Sequence, residues 1–546
     1  MRMRAGGEDG SGRLAPAAPS CLRRYAAIGL AATTAVVAGA VVGGSAFVSE
    51  APGSWLFGTP GAHFGSLAAS GAHPPVVAML CVYGGLILLA ATWWRLVRAL
   101  DTSRGVAVSR VVVVLVVWAI PLLLAPPLFS RDAFSYAGQG EMVSHHIDPY
   151  RYGTGVLGAT PFDAFAGPLW ATTPSPYGPV FLFLDGLVTV VTGHHELADL
   201  VLLRLLAVAG VALMVAGLPT LARRLGRDPA SVVVLGAGSP LVLVALVGGD
   251  HNDALMVGLL VAGLAVASRV GPVPGLVLCA LAAGVKAPAL LGAVFIGWNW
   301  APAGASAWRR ARRTVESLAV VAAVMAAASG ATGMGWGWLG TFTAADKIST
   351  GVTPVDAAAH LVAWVAAGVG FPASLGAVRA VMAVAGLVVA AGAGAFLLWR
   401  SPRLGMVRAL GATLLVLALL APVLWCWYLT WGLVVLAPVA GVRLRRVVGA
   451  VTAVEVAVGA ASVHRMVSTV LAAPLGDDLV LVAVLGAVAL ACLRWVGSPA
   501  PGTGPPGGRR LPYRSGRDRR SPWSGQRAVQ PVGVTTTAIH RPHSAQ

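Results

Sequence analysis

Residues 109–136 read Ser-Arg-Val-Val-Val-Val-Leu-Val-Val-Trp-Ala-Ile-Pro-Leu-Leu-Leu-Ala-Pro-Pro-Leu-Phe-Ser-Arg-Asp-Ala-Phe-Ser-Tyr. From Val111 to Phe129 there is no charged side chain, and Arg110 and Arg131 close the run at either end. An apolar run of about 20 residues matches the thickness of a bilayer's hydrocarbon core. In lipid the backbone must satisfy its own hydrogen bonds, so such a run is read as a helix. The polar residues that follow at once, Asp132, Ser135 and Tyr136, then lie just beyond a membrane span.

The same pattern recurs on both sides. Apolar stretches are found near 25–48, 77–98, 199–222, 230–247, 254–270, 272–284, 286–301, 314–330, 377–399, 408–423, 428–441, 447–463 and 478–496. Hydrophobic residues make up 57% of the 546 and charged residues 11%, against about 25% charged in an ordinary soluble domain. The expectation is an all-α polytopic membrane protein with about 12–14 transmembrane helices. A basic segment, 1–24, precedes the membrane body at 25–496, and a Pro/Gly-rich basic tail, 497–546, follows it. The tail lacks apolar periodicity and reads as disordered. The first apolar run lacks a clear cleavage signal and is taken as a retained span.

The net charge of +18 is distributed as a topology signal rather than as a nucleic-acid footprint. Arg95, Arg98, Arg104 and Arg110 share one loop, and Arg223, Arg224 and Arg227 another. Arg309, Arg310, Arg312 and Arg313 form a third group, Arg400 and Arg403 a fourth, and Arg443, Arg445 and Arg446 a fifth. If the chain breaks at Lys286 and both termini are cytoplasmic, every group falls on the cytoplasmic side. Two long loops, about 129–199 and 333–376, then face outward. Their apolar pieces Val180–Val191 and Ala357–Val369 are expected to lie in the interface or re-enter it. The five cysteines form no C-x-x-C pair, so neither a disulfide framework nor a zinc site is signalled.

Acidic residues gather in the first outer loop: Asp132, Glu141, Asp148, Asp163, Asp185, Glu196 and Asp199. On a helix Asp132 and Tyr136 share a face, while Glu141 points elsewhere. A lone carboxylate at a water–lipid boundary suits a general base; capping of a helix starting at Ala133 is the alternative. His145 and His146 are adjacent and read as surface or capping residues. Tyr177 lies in the proline-rich turn region 170–179, which closes with Gly178-Pro179 and where sugar binding and interfacial anchoring are both open. In Gly-Gly-Asp-His-Asn-Asp, 248–253, the residues Asp250, His251 and Asp253 either punctuate a helix or bind substrate. Lys286, between Gly284 and Pro288 in an apolar setting, needs a partner or a function, and a break there would suit an anion. Trp425, Trp427, Tyr428 and Trp431 either anchor at the interface or line a groove.

Arg131-Asp132-Ala133-Phe134-Ser135-Tyr136, Gly140-Glu141, Asp148-Pro149-Tyr150, Pro174-Ser175-Pro176-Tyr177-Gly178-Pro179, Gly249-Asp250-His251-Asn252-Asp253 and Lys286-Ala287-Pro288 together resemble the actinobacterial polyprenol-phosphomannose-dependent α-1,6-mannosyltransferases. The resemblance covers roughly residues 25–495. It implies the GT-C architecture, with a catalytic carboxylate in the first long extracytoplasmic loop, here Asp132. It further implies an inverting transfer of mannose from polyprenyl-phosphomannose to the α-1,6-mannan acceptor of lipomannan and lipoarabinomannan, at the outer face of the plasma membrane. Candidate substrate contacts are Tyr136, Glu141, Tyr177, Asp250, His251, Asp253, Lys286 and Trp427. No cofactor is implied beyond the lipid-linked donor, and a divalent cation is not signalled by the spacing. The expected partners are the donor, a glycolipid acceptor and membrane lipid, without nucleic acid. Two other readings remain: a transferase of the same architecture using glucose or arabinofuranose, and a lipid or solute transporter.

Overall fold

The computed structural model describes residues 19–43, 76–103, 105–158, 160, 166–340, 353–371 and 374–459. Among them every extended element is a helix. The span expected at 478–496, the tail, Arg104 and Asp163 lie outside the described residues.

The first three long helices are α1 (Pro19–Gly43), α2 (Val76–Thr102) and α3 (Val108–Leu124). α1 packs against both α2 and α3, and the α3 Trp118 indole donates to the Tyr25 carbonyl of α1 at 3.0 Å. The polar segment then folds as α4 (Asp132–Ser144), a short α5 (Pro168–Thr172) and α6 (Pro179–Thr192). The long α7 (Glu196–Arg224) returns along the bundle and leads into a short α8 (Pro229–Leu235). Asp228 caps α8, its carboxylate accepting from the Ser231 amide at 2.8 Å. Proline at the first position opens α5, α6 and α8, where its missing N–H has no helical partner to lose.

The stretch expected as one span at 230–247 is not a single helix. After α8 the chain turns through Gly236, and residues Val242–Gly248 form a π-helical turn. This turn and α9 (Asp253–Arg269) meet at 118° across a break of four residues. Glycine at 236, 248 and 249 lets the chain bend there. α10 (Pro272–Val285) ends at Lys286, whose extended backbone (φ −152°, ψ 129°) separates it from α11 (Leu290–Trp300). The break in the apolar pattern at Lys286 is therefore a break in the helix. Then come α12 (Ala307–Thr332), α13 (Pro354–Gly368), α14 (Leu375–Leu404), α15 (Met406–Leu420), α16 (Leu429–Leu436) and α17 (Val442–Gly459).

Five of the described helices are long and apolar enough to cross a bilayer: α1, α2, α7, α12 and α14. The bent pair at 242–269 provides a sixth candidate, and α3, α6, α10, α11, α15 and the Cys426–Val439 segment are shorter apolar helices. The protein is an all-α, multi-pass membrane protein. Much of α14 remains exposed along its length, with Val381, Val384, Val388 and Phe396 facing outward, as expected of a helix whose solvent is lipid rather than water.

Backbones approach closely at the centre. A Cβ on Gly258 of α9 would lie 2.1 Å from the Gly210 carbonyl oxygen of α7. Small residues at such crossings let helices gain dispersion contacts in lipid, where no hydrophobic effect drives them together. At the end of the bundle reached by α2 and α7, Arg445 of α17 pairs with Asp101 of α2 and donates to the Ser231 hydroxyl of α8 at 2.8 Å. The other end holds the candidate site.

Candidate active site

Asp132 is the first residue of α4, and Arg131 takes the cap position. The helix start is held instead by Ser130, whose hydroxyl accepts from the Asp132 amide at 3.1 Å. The Asp132 carboxylate is thus not a helix cap. It points at His251, with Oδ2 3.7 Å from Nε2.

His251 is buried and oriented from both sides. Its Nδ1 lies 2.7 Å from the Ala245 carbonyl oxygen, which can only accept, so Nδ1 carries the proton. Its ring stacks on Trp427 at 3.7 Å between centroids, and Trp427 stacks on Trp425 at 5.0 Å. In the neutral ring Nε2 therefore presents a lone pair to Asp132. Two acceptors this close leave each other unpaired, and a donor O–H approaching from the side can bond either of them. Next to them, the Asn252 amide, Trp427 Nε1 and Asp250 Oδ2 are buried without a protein hydrogen-bond partner. Buried polar atoms are nearly always paired, and a cluster that is not points to polar ligands.

The break between the π turn and α9 creates this arrangement. Asp250 adopts φ +58°, a left-handed conformation strained for a non-glycine residue. Asn252 occupies the cap position and Asp253 opens α9. Thus the helix-punctuation alternative holds for Asp253, which lies in the first turn of α9, but not for Asp250, which is not its cap. Asp250 is buried, and Asp253 is turned toward Lys286.

Asp253 and Lys286 form a buried ion pair, with Nζ 2.8 Å from Oδ2. The second Asp253 oxygen accepts from Trp431 Nε1 at 2.5 Å. The Lys286 ammonium also lies over the rings of Tyr428, Tyr177 and Trp431, 4.6, 5.7 and 5.8 Å from their centroids. Aromatic faces and one carboxylate hold the cation, and an ammonium has three N–H donors, of which Asp253 takes one. The Pro-Tyr-Gly-Pro turn completes the cage. A Cβ on Gly178 would sit 2.3 Å from the Gly284 carbonyl oxygen, and the Gly178 amide donates to the Val285 carbonyl at 3.1 Å. That docking brings Tyr177 beside Lys286. Tyr136 meets Tyr177 edge-on at 5.2 Å and Phe181 at 5.0 Å. Burial, with the Asp132 carboxylate as a further cause, holds the Tyr177 phenol well above the usual tyrosine range. It is a neutral group that can donate a hydrogen bond at any physiological pH.

The family profile described as alpha-(1->6)-mannopyranosyltransferase, N-terminal domain, matches residues 26–302, a range that includes Asp132, Tyr177, His251, Asp253 and Lys286. The chain belongs to the α-(1→6)-mannopyranosyltransferase family. It is 32% identical to alpha-(1->6)-mannopyranosyltransferase A of Mycobacterium tuberculosis over 390 residues, which is 69% of this chain and 74% of that relative. It is 33% identical over 403 residues to a probable alpha-(1->6)-mannopyranosyltransferase of Mycolicibacterium smegmatis, covering 66% and 70%. The Corynebacterium glutamicum alpha-(1->6)-mannopyranosyltransferase A is 28% identical over half of this chain and 61% of its own length. No solved structure matches the chain.

Within this mannopyranosyltransferase, the fold gathers seven of the nine residues singled out in the sequence around one site: Asp132, Tyr136, Tyr177, His251, Asp253, Lys286 and Trp427. Asp250 lies just behind them. It is within electrostatic reach of Arg204, whose guanidinium also donates to the Ala125, Leu123 and Gly248 carbonyls. Arg204 escaped the sequence reading, although a lone arginine inside an apolar run is itself a signal. Glu141 is not drawn in; its carboxylate binds His145 and His194 at the far end of α4. Tyr428 and Trp431, read only as members of an aromatic cluster, are contacts of the Lys286–Asp253 pair.

Proposed function

We propose that this chain is an inverting mannosyltransferase that uses polyprenyl-phosphomannose as donor and a hydroxyl of an α-1,6-mannan glycolipid as acceptor. The observation that carries the reading is the Asp132 carboxylate facing an unpartnered His251 Nε2 at 3.7 Å, with the caged Lys286 on the same side of the bundle. The acceptor hydroxyl approaches alongside the Asp132–His251 pair and donates to the Asp132 carboxylate. Asp132 removes its proton as the oxygen attacks the anomeric carbon. The bond from that carbon to the phosphate oxygen breaks, and polyprenyl phosphate leaves with the electron pair and the negative charge. The free donors of Lys286 and the neutral Tyr177 phenol bind that phosphate. Attack opposite the leaving group converts a β-linked donor into an α-linked product. No general acid is required, because a phosphate is a sufficient leaving group.

The charges support an outer-face reading. The five arginine groups between the apolar runs support a cytoplasmic side for those loops and both termini, and hence an outer-face site for the long loop that carries Asp132. A lipid-linked donor suits that side, where nucleotide sugars are not supplied. The reading predicts that membranes containing the wild-type chain transfer label from polyprenyl-phosphomannose to a short α-1,6-mannoside, and that Asp132→Asn membranes do not. Transfer by the Asp132→Asn protein at the wild-type rate would remove Asp132 as the base. Transfer from polyprenyl-linked glucose or arabinofuranose in place of mannose would keep the mechanism and change the sugar.

A further inference from the structure

We propose a transition-metal site, best suited to Zn²⁺, built from Glu141, His145 and His194. It is separate from the transfer site and does not depend on the mechanism above. Glu141 and His145 stand one turn apart on α4, and His194 lies in the turn between α6 and α7. The two Glu141 oxygens reach His145 Nε2 at 3.0 Å and His194 Nδ1 at 2.8 Å. One ligand atom from each of the three residues falls within 4.8 Å of the others. In a tetrahedral zinc site such atoms are about 3.3 Å apart, from bond lengths near 2.0–2.1 Å. Small ring and carboxylate rotations close that difference.

Three observations favour a built site over a chance surface pair. First, α4 and α6 touch by backbone. A Cβ on Gly140 would lie 2.6 Å from the Asp185 carbonyl oxygen, and one on Gly186 would lie 2.6 Å from Val143 Cγ1. The end of α6 is therefore fixed beside Glu141. Second, His194 has φ +63° directly after Gly193 at φ +68°. A non-glycine residue in this conformation is strained, and the strain here aims the imidazole back at α4. Third, the two imidazole rings face one another at 5.5 Å with a 34° tilt, so both can present a nitrogen to a shared point.

The donor set selects the ion. Two imidazoles and one carboxylate match zinc and related first-row ions, whereas calcium and magnesium prefer oxygen shells. His145 and His194 are about half exposed, which leaves a fourth position for water. Glu141 lies nine residues beyond Asp132 on one helix, about 13 Å along its axis. At that distance the ion does not act on the sugar. It fastens the far end of the helix that carries Asp132 to the start of α7.

The test uses the full-length, tag-free chain in detergent, stripped with a chelator and titrated with Zn²⁺ against a chromophoric competitor. Wild type is expected to bind one zinc per chain and to unfold at a higher temperature when loaded. The His145→Ala/His194→Ala protein should bind at least about tenfold more weakly and lose the thermal shift. Co²⁺ loaded into wild type should give the visible absorption of a tetrahedral N/O site, a readout that needs no variant to fold. Equal zinc binding by the double variant, or a wild-type chain that neither binds zinc nor shows the cobalt spectrum, overturns the proposal.

Discussion

Asp132 and Glu141 are carboxylates nine residues apart on α4, and their side chains are almost equally buried, at 14% and 13% exposure. Burial does not separate them; their partners do. Both Glu141 oxygens are taken by imidazoles at hydrogen-bond distance. Among the described residues no side chain hydrogen-bonds the Asp132 carboxylate, and the nearest imidazole stops 3.7 Å away with its proton on the far nitrogen. A satisfied carboxylate is a structural link or a ligand. One that faces another acceptor across a gap is available to a substrate hydroxyl. The helix thus carries an unpaired carboxylate, the proposed base, at one end and a paired one, the proposed anchor, at the other, and the difference comes from what α9 and the α6–α7 turn bring to each.

The largest expected effect tests the reactive end. Asp132→Asn keeps size and polarity but cannot take a proton. Its transfer rate should fall by a factor of about 10²–10⁴, with the protein still inserted and eluting as wild type. A smaller loss than that of a contact residue such as Tyr177→Phe would dissolve the contrast between the two carboxylates.

Lys286→Ala comes next and acts twice. It strips the Asp253 carboxylate of its buried cation, which in comparable cases destabilises by about 3–5 kcal/mol. It also removes the proposed phosphate contact. The two effects separate in Lys286→Met/Asp253→Leu, which has no uncompensated charge. That double variant should recover most of the lost thermal stability while the donor KM stays raised. Recovery of both would leave Lys286 a purely structural residue.

Much of this architecture could be read in advance, and the reason is local. The long apolar runs, the arginine groups between them and the Lys286 interruption are properties of contiguous sequence, and α7, α12, α14 and the α10–α11 break follow them. The extent of 230–247 could not be read this way, because a π turn and a tight glycine bend keep the same apolar composition as a helix. The site was legible as a set of suspect residues but not as a geometry. That Trp427 stacks on His251, while Trp431 binds Asp253, depends on packing between segments well over a hundred residues apart. His194 illustrates the limit best. Nothing near it in sequence links it to Glu141; the glycine contacts between α4 and α6 do.

A third, smaller effect probes how Tyr177 is delivered to the reactive end. Gly178→Ala places a methyl 2.3 Å from the Gly284 carbonyl, which belongs to backbone and cannot swing aside. Overpacking of this kind costs about 1–3 kcal/mol. The turn should lift away from α10, carrying Tyr177 with it, so donor KM should rise along with the loss of thermal stability. Unchanged kinetics in the folded variant would separate the turn from the Lys286 cage.

The smallest expected effect belongs to the anchored end, and its size depends on what fills it. Glu141→Gln removes a charge from two partly exposed imidazole contacts, and pairs of that kind contribute about 0–1 kcal/mol. In chelator-stripped protein the melting temperature should therefore move by little more than the error of the measurement. In zinc-loaded protein the same substitution takes away a ligand, and the gap between variant and wild type should widen with zinc concentration, as it must when an ion binds only the folded state. Asp132→Asn offers the matching control, since its melting temperature should respond to zinc as wild type does. If instead zinc rescued or suppressed both variants alike, the two ends of α4 would not be independent, and the ion would have to be placed nearer the reacting sugar.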